Sequence, residues 1–294
     1  MNIARIFKSF LTLISPKLNT RIIYRIKFKK SINLKNPKTI DEKIQWLKFN
    51  DYYKNELVKK CADKFAVREY IEQSGYPEIL NPLIGVYDKV EDIPWDTLPT
   101  KFVLKWNYGS GMNIICANKS QLDKKTTISK LKKWYRQRKT FYLQYSELQY
   151  KDVTTKLICE KFIETDSGEL PLDYKFYCFN GKAEYVMICY NRNSSEGSKV
   201  KYYFFNRNWK LQRINHDGKA ASENFSIPKP EGIEKLFEYA DKLSKPFPFV
   251  RADFYLEKGK PIFGELTFTP AGGFDNNRLP ETQILMGDLL KLEV

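Results

Sequence analysis

Apolar residues recur at helical spacing from the first turn of the chain. Ile3, Ile6, Phe7, Phe10, Leu11 and Ile14 alternate with Arg5 and Lys8, which predicts a basic amphipathic helix over 1–14. Such a helix can lie on a membrane surface or pack on the protein's own body, with packing the favoured of the two. Thr39-Ile40-Asp41-Glu42 has capping-box spacing and predicts a helix through about Asn50. A second helix is expected over 58–74, closed by Gly75. From there the period shifts toward two. Strands are predicted over 101–106 (KFVLKW) and 113–117 (NIICA), followed by a basic helix over 123–149 and a strand over 156–163 (KLICEKFI). Asn180-Gly181 between 174–179 and 183–190 is a strong hairpin signal. A strand over 201–205 and a helix over 231–245 come next. A second hairpin pairs 250–256 with 261–268 across Glu257-Lys258-Gly259-Lys260, and a closing helix runs over 279–292. Strands fill the centre and helices cover them, so the expected class is α+β with a largely antiparallel sheet.

The length of 294 residues suits one large domain or two intimate lobes with a proper core. At 42% hydrophobic and 29% charged, the chain is neither disordered nor fibrous. No apolar run reaches the roughly 18–20 residues of a membrane helix, and the N-terminus lacks the pattern of a signal peptide, since Lys8 breaks its apolar stretch. The five cysteines, Cys61, Cys116, Cys159, Cys178 and Cys189, form no C-x-x-C pair and read as small buried hydrophobes in a reducing cytoplasm. His216 is the only histidine, which removes a zinc site and every His-dependent triad. Proton transfer would then fall to carboxylates, lysines or the substrate.

The net charge of +15 favours anionic partners. It concentrates at Arg5, Lys8, Lys17, Arg21, Arg25, Lys27, Lys29 and Lys30 and in LKKWYRQRK at 131–139. No nucleic-acid module is recognisable, and the aromatic residues Phe176, Tyr177, Phe179, Tyr203, Phe204 and Phe205 fall inside predicted strands, where core packing explains them; nucleic acid is not an expected partner. Tyr142, Tyr145, Tyr150 and Arg192 are weak candidates for a substrate groove.

Neither a P-loop, a full G-x-G-x-x-G, a kinase H-R-D set nor an Asp-x-Asp motif is present. Two weaker signals remain. In FVLKWNYGSGMN at 102–113, Lys105 ends a strand ahead of a loop with Gly109 and Gly111, whose backbone N–H groups can approach phosphate oxygens. Further on, Arg251 and Asp253 share one strand face, and Glu265 and Thr267 share a face of the neighbouring strand. Asp253 opposite Glu265 would place two carboxylates beside a cation in an otherwise apolar hairpin, a donor set that suits Mg²⁺ with substrate phosphates.

The order Asp63-Lys64, VLK with its glycine loop, Glu160-Lys161-Phe162-Ile163, R-x-D, then E-x-T-x-x-P resembles ATP-grasp enzymes. More closely, ADKFAVREYI, FVLKWNYGSGMN, LPLDYKFYCFNGKAEYV and VRADFY…GELTFTPAGGF resemble the TupA-like ATP-grasp family over roughly 35–292. That resemblance implies an ATP-grasp fold, two lobes of mainly antiparallel sheet clasping ATP, with a helical N-terminal region. It divides the chain into a basic segment 1–34, a helical region 35–100, a small lobe 101–163 and a large lobe 164–294. It also implies roles. Lys64 and Lys105 would hold the α- and β-phosphates, with Lys105 also catalytic. Gly109, Ser110, Gly111 and Met112 would form the flap over the triphosphate. Glu160, Lys161, Phe162 and Ile163 would form the adenine hinge, with the Glu160 side chain and backbone groups reading the base edge. Asp173 would bind ribose, Asp253, Glu265 and Thr267 would hold Mg²⁺, and Arg251 would stabilise the transferring phosphoryl group. Thr267 stands where the family usually has a metal-binding Asn, and Ala271 where a Gly usually follows the proline. The implied activity is a carboxylate–amine ligation through an acyl phosphate. The family context points to a uronic acid of a bacterial surface polysaccharide and an amino acid or amine, with the enzyme cytoplasmic and peripheral to the inner membrane face. The alternative is a glycosyltransferase using a sugar-nucleotide donor.

Overall fold

A computed structural model describes residues 3–165, 170–190 and 200–292. It divides into two compact units, one of residues 1–20 and 51–163 and the other of residues 21–50 and 164–294. In chain order the helices before the first strand are α1 (Ile3–Ile14), α2 (Pro16–Phe28), α3 (Ile40–Leu47), α4 (Glu56–Ala62) and α5 (Val67–Gln73). The first unit continues with β1 (Leu83–Tyr87), β2 (Phe102–Trp106), β3 (Asn113–Cys116), α6 (Lys124–Arg136) and β4 (Leu157–Lys161). The second unit adds β5 (Tyr174–Phe179), β6 (Lys182–Tyr190), β7 (Lys201–Asn206), β8 (Leu211–Gln212), α7 (His216–Ala220), α8 (Ile233–Ser244), β9 (Phe249–Glu257), β10 (Lys260–Thr267) and α9 (Pro280–Leu289). No described helix is long and apolar enough to cross a membrane.

The first unit holds an antiparallel sheet in the order β1-β4-β2-β3. Phe102, Leu104, Trp106, Leu157 and Cys159 fill its core with Leu131 of α6. Trp106 donates its indole N–H to the Leu131 carbonyl at 3.2 Å, so the one polar atom of the largest buried ring is satisfied. Two expected helices are shorter than their patterns suggest. The helix expected over 58–74 is broken between α4 and α5 because Asp63 turns its carboxylate onto the N–H groups of Phe65 and Ala66, at 2.7 and 3.1 Å, and holds residues 63–66 in a turn ahead of α5. The basic helix ends at Arg136 rather than running to 149. Residues 137–150 fold into tight turns, with Ser146 at φ 54°, that bury Phe141, Tyr142 and Leu143, which a continued helix would spread around its circumference.

Helix α1 forms as the pattern predicts, but it packs the unexpected way. Its side bearing Thr12 docks: the hydroxyl donates to the Leu143 carbonyl at 2.6 Å and lies 2.7 Å from the Ser146 hydroxyl. Arg5 reaches Gln137 at 2.9 Å, and the Lys8 ammonium lies over the Tyr145 ring.

In the second unit six strands run antiparallel in the order β10-β9-β5-β6-β7-β8. Asn180 and Gly181 make the tight turn expected of them, both at positive φ. The other hairpin turns on Lys258 and Gly259 alone, so its strands reach Glu257 and Lys260. Helix α8 covers one face through Phe237, which meets Phe176 edge-on at 4.8 Å. Helix α3, with its capping box formed by Thr39 and Glu42, packs on α9. The contact is close: a Cβ on Gly287 would sit 2.1 Å from the Lys38 carbonyl oxygen. Gly287→Ala is therefore expected to lower stability by about 1–3 kcal/mol in a urea titration, although alanine is the better helix former. All five cysteines are buried, as their apolar settings suggest.

Candidate functional site

Two polar clusters interrupt these cores, one in each unit. In the second unit the hairpin of β9 and β10 supplies most of the cluster. Register places Glu265 opposite Asp253 and Thr267 opposite Arg251, and β5 adds Lys175 opposite Asp253 on its other side. A bulge at Gly264 sets this alignment; without the extra residue Glu265 would face Ala252 and point to the other side of the sheet. Gly264 itself lies against the Asp253 carbonyl, 3.0 Å from where a Cβ would stand.

Asp253 is 2% exposed and receives two cations. Arg251 donates to both of its oxygens at 2.7 Å, and Lys175 lies 2.6 Å from Oδ2. Lys175 also reaches Asp173 at 2.7 Å. Arg251 extends to the Thr267 hydroxyl at 3.1 Å and to Glu265 at 3.4 Å, and that hydroxyl donates to Glu265 at 3.1 Å. Burial opposes the charge on Arg251 and Lys175 and is the largest single effect, but the acidic groups around them, Asp253 foremost and Glu265 with it, together outweigh burial and hold both pKa values above their ordinary range. Burial likewise pushes the Asp253 carboxyl up, against the pull of Arg251 and Lys175. The cluster carries three carboxylates and two cations, a formal net charge of −1.

Among the described residues no group of three His, Cys, Asp or Glu side chains could hold a metal by itself. Asp253 and Glu265 offer two carboxylates, a donor set that would suit a hard cation bringing phosphate oxygens of its own.

In the first unit the break at Asp63 positions Lys64. Asn107 binds the Asp63 carboxylate at 2.7 Å and the Thr154 carbonyl at 2.9 Å, and the Lys64 N–H donates to the Asn107 carbonyl at 2.9 Å. The Lys64 ammonium then meets the Gly109 carbonyl at 2.7 Å. Burial raises the Asp63 pKa against these hydrogen bonds. Gly109 and Gly111 both take positive φ, and the Trp106 N–H closes the loop onto the Met112 carbonyl at 3.2 Å. Ser110 lies exposed at its tip.

Lys105 points across the sheet to Glu160, 2.7 Å away, with Arg68 at 3.8 Å and Asn81 at 3.3 Å from the same carboxylate. The Glu160 side chain thus faces the lysine end of the cluster. The Lys161 backbone is bound by Pro82 and Asn81, and Phe162 and Ile163 follow past the strand end.

The structure thus gathers Arg251, Asp253, Glu265, Thr267 and Asp173 in one unit, and Lys64, Lys105, the glycine loop and Glu160 to Ile163 in the other. Sequence reasoning missed Lys175, Arg68 and Asn81. Lys175 had a signal in Asp173-x-Lys175, two charged residues on one face of an apolar strand; Arg68 and Asn81 had none. Tyr142 belongs to the core, Tyr145 to the contact with Lys8, and Tyr150 packs on Phe141. Arg192 lies outside the described residues. A cavity of about 330 Å³ in the second unit is lined by Tyr190, Lys201, Tyr203 and Phe225 and by none of the expected site residues.

The sequence model of one family, TupA-like ATPgrasp, matches residues 42–291. The chain belongs to this family, and its helices and antiparallel sheets form an ATP-grasp fold. No curated protein matches it. Among solved structures it is similar to the D-alanine–D-alanine ligase of Bacillus anthracis complexed with ATP, at 16% identity and TM-score 0.47, covering 79% of this chain and 65% of that one. The phosphoribosylamine–glycine ligase of Thermotoga maritima gives 14% and 0.43 over 78% and 51%. The D-alanine–D-alanine ligase of Helicobacter pylori gives 10% and 0.42 over 87% and 67%. These TM-scores are low, and the ATP-grasp assignment stands on the family match.

Proposed function

We propose that the protein is an ATP- and Mg²⁺-dependent carboxylate–amine ligase that attaches an amino acid or amine to a uronic acid of a bacterial surface polysaccharide. The supporting observation is the Asp173–Lys175–Asp253–Arg251–Glu265–Thr267 cluster. Asp173 and Asp253 are buried beside two cations and Glu265 is partly so; gathering such charges is costly unless they serve a charged ligand, and the net −1 charge leaves room for a divalent cation.

In this reading Lys64, Lys105 and the backbone of residues 109–112 bind the triphosphate of ATP. Residues 160–163 hold the adenine through backbone groups, with the Glu160 side chain orienting Lys105 instead of reading the base, and Asp173 binds the ribose. Asp253, Glu265 and Thr267 would hold Mg²⁺, which neutralises phosphate charge when bound. Lys175 holds Asp173 and Asp253 in place. The substrate carboxylate attacks the γ-phosphorus and ADP departs, giving an acyl phosphate whose charge Arg251 stabilises. The amine then attacks the acyl carbon, phosphate leaves with the bonding pair, and the ammonium proton is lost to solvent or a nearby base. Positioning and charge neutralisation carry such a reaction, which a chain with the single histidine His216 can perform.

Calorimetric titration of ATP with and without Mg²⁺ tests the nucleotide site. Micromolar binding that requires Mg²⁺ is expected, and Lys105→Ala should weaken it by about 10–100-fold through loss of a charge-assisted contact. Tight UDP-sugar binding without ATP binding would replace the ligase by a sugar-nucleotide transferase.

A further inference from the structure

Helix α1 presents the wrong face to the protein. Ile3, Ile6, Phe7, Phe10, Leu13 and Ile14 lie on one side of it and are each between 46% and 83% exposed. The opposite side, with Arg5, Lys8, Leu11 and Thr12, is the one that docks. Apolar burial ordinarily turns the hydrophobic side of a surface helix inward. Here hydrogen bonds from Thr12 and Arg5 fix the reverse orientation.

The surroundings of that face within the first unit are basic. The first twenty residues contain Arg5, Lys8 and Lys17 and no Asp or Glu. The Arg5–Gln137 contact sets the start of α1 beside the end of α6, where Lys133, Arg136 and Lys139 are exposed. A contiguous apolar face of this kind marks an interaction site, and its charged rim selects the partner. A second copy of the chain would bring like charges together. An anionic lipid surface would not.

We propose that α1 is a membrane-docking helix that lies in the interface of an anionic bilayer, with Phe7, Phe10 and Leu13 inserted among the acyl chains and the basic residues against the head groups. At twelve residues it is about 18 Å long, too short to span a hydrocarbon core of about 30 Å and suited to the in-plane orientation of interfacial helices. The docked Thr12 side ties the inserted helix rigidly to the first unit. This inference goes beyond the ligase reading and does not depend on it.

Co-sedimentation of the full chain with vesicles tests it. The protein should pellet with equal parts phosphatidylcholine and phosphatidylglycerol, and far less with phosphatidylcholine alone. Phe7→Ser combined with Phe10→Ser should reduce the partition coefficient by about 100-fold or more, with an unchanged melting curve because both rings are exposed. Lys133→Gln with Arg136→Gln should weaken binding roughly fivefold per charge, and only to the anionic vesicles. Failure to bind anionic vesicles, or binding indifferent to the two phenylalanines, would overturn the proposal. So would a concentration-dependent dimer in sedimentation velocity that the double variant abolishes, since that assigns the face to a second copy. ATP calorimetry on the double variant is expected to match the parent, which keeps this outcome separate from the fate of the nucleotide site.

Discussion

Glu265→Ala is expected to lower ATP turnover by about 1,000-fold or more while leaving the fold intact. The two halves of this statement have different physical origins. Glu265 is partly exposed, at 29% of its side chain, and its partners are Arg251 at 3.4 Å and the Thr267 hydroxyl. Removing one arm of a half-exposed ion pair costs about 0–1 kcal/mol of stability, and Arg251 keeps its two bonds to Asp253. In the transition state the same carboxylate would hold the cation that neutralises the transferring phosphate, an effect of several kcal/mol, and about 4 kcal/mol is a factor of about 1,000 in rate. ADP release and a thermal melt on the same preparation separate the two. Persistent turnover in a well-folded variant would remove Glu265 from the metal site. Glu265→Gln should behave likewise in rate, since it keeps the shape and loses the charge.

Asp41→Ala should do the opposite: unfold the protein more easily without touching any proposed catalytic group. Asp41 is 1% exposed on α3 and pairs with Arg278, whose side chain is fully buried. Gln283 donates to the second Asp41 oxygen at 2.7 Å. Burial raises the Asp41 pKa and Arg278 pulls it down, while Asp41 and Asp275 raise that of Arg278 against its own burial. Without Asp41 the guanidinium keeps Asp275, at 3.3 Å from Nη2, and the Tyr177 ring, whose centroid is 5.8 Å away, while its Nε and Nη2 have no hydrogen-bond partner among the described residues. Breaking one side of a buried pair typically costs about 3–5 kcal/mol, which for a chain of this size is a fall of roughly 10 °C in Tm. A shift within about 1 kcal/mol of zero in urea titration would show that water relaxes into the site and replaces the carboxylate.

Elements whose stability is local could be read directly. Asn180-Gly181 specifies its hairpin by backbone preference alone, and the capping box at Thr39 is a contact across three residues. The pairing of Asp253 with Glu265 was also within reach, because the two strands are consecutive and the turn between them is short. The bulge at Gly264 that completes it is a glycine in a strand, a weak signal. Elements that depend on distant partners were not readable. The helix break at Asp63 is held by Asn107, forty-four residues away, and nothing in the periodicity of 58–74 opposes one continuous helix. The Lys105–Glu160 contact joins strands that are not neighbours in sequence. Helix α2 and strand β1 were overlooked because Pro16 and the interleaved basic residues obscure the first, and LIGVY is too short and too exposed at its edge to stand out. For α1 the helix was visible but its orientation was not, since a hydrophobic stripe is normally the buried one.

The position of α3 has a consequence for biosynthesis. Its side chains bind residues near the other end of the chain: Lys43 reaches the carbonyls of Gly287 and Leu290, and Gln45 those of Gly272 and Gly273. Asp41 and Gln283 are 242 positions apart. On a ribosome adding about 5–20 residues per second, α3 emerges roughly 10–50 s before its partners exist. The second unit therefore cannot close until residues 272–290 have been made, whereas residues 51–163 can begin folding well before. Nascent chains stalled before α9 should hold an open second unit with α3 uncovered, a natural client for a chaperone.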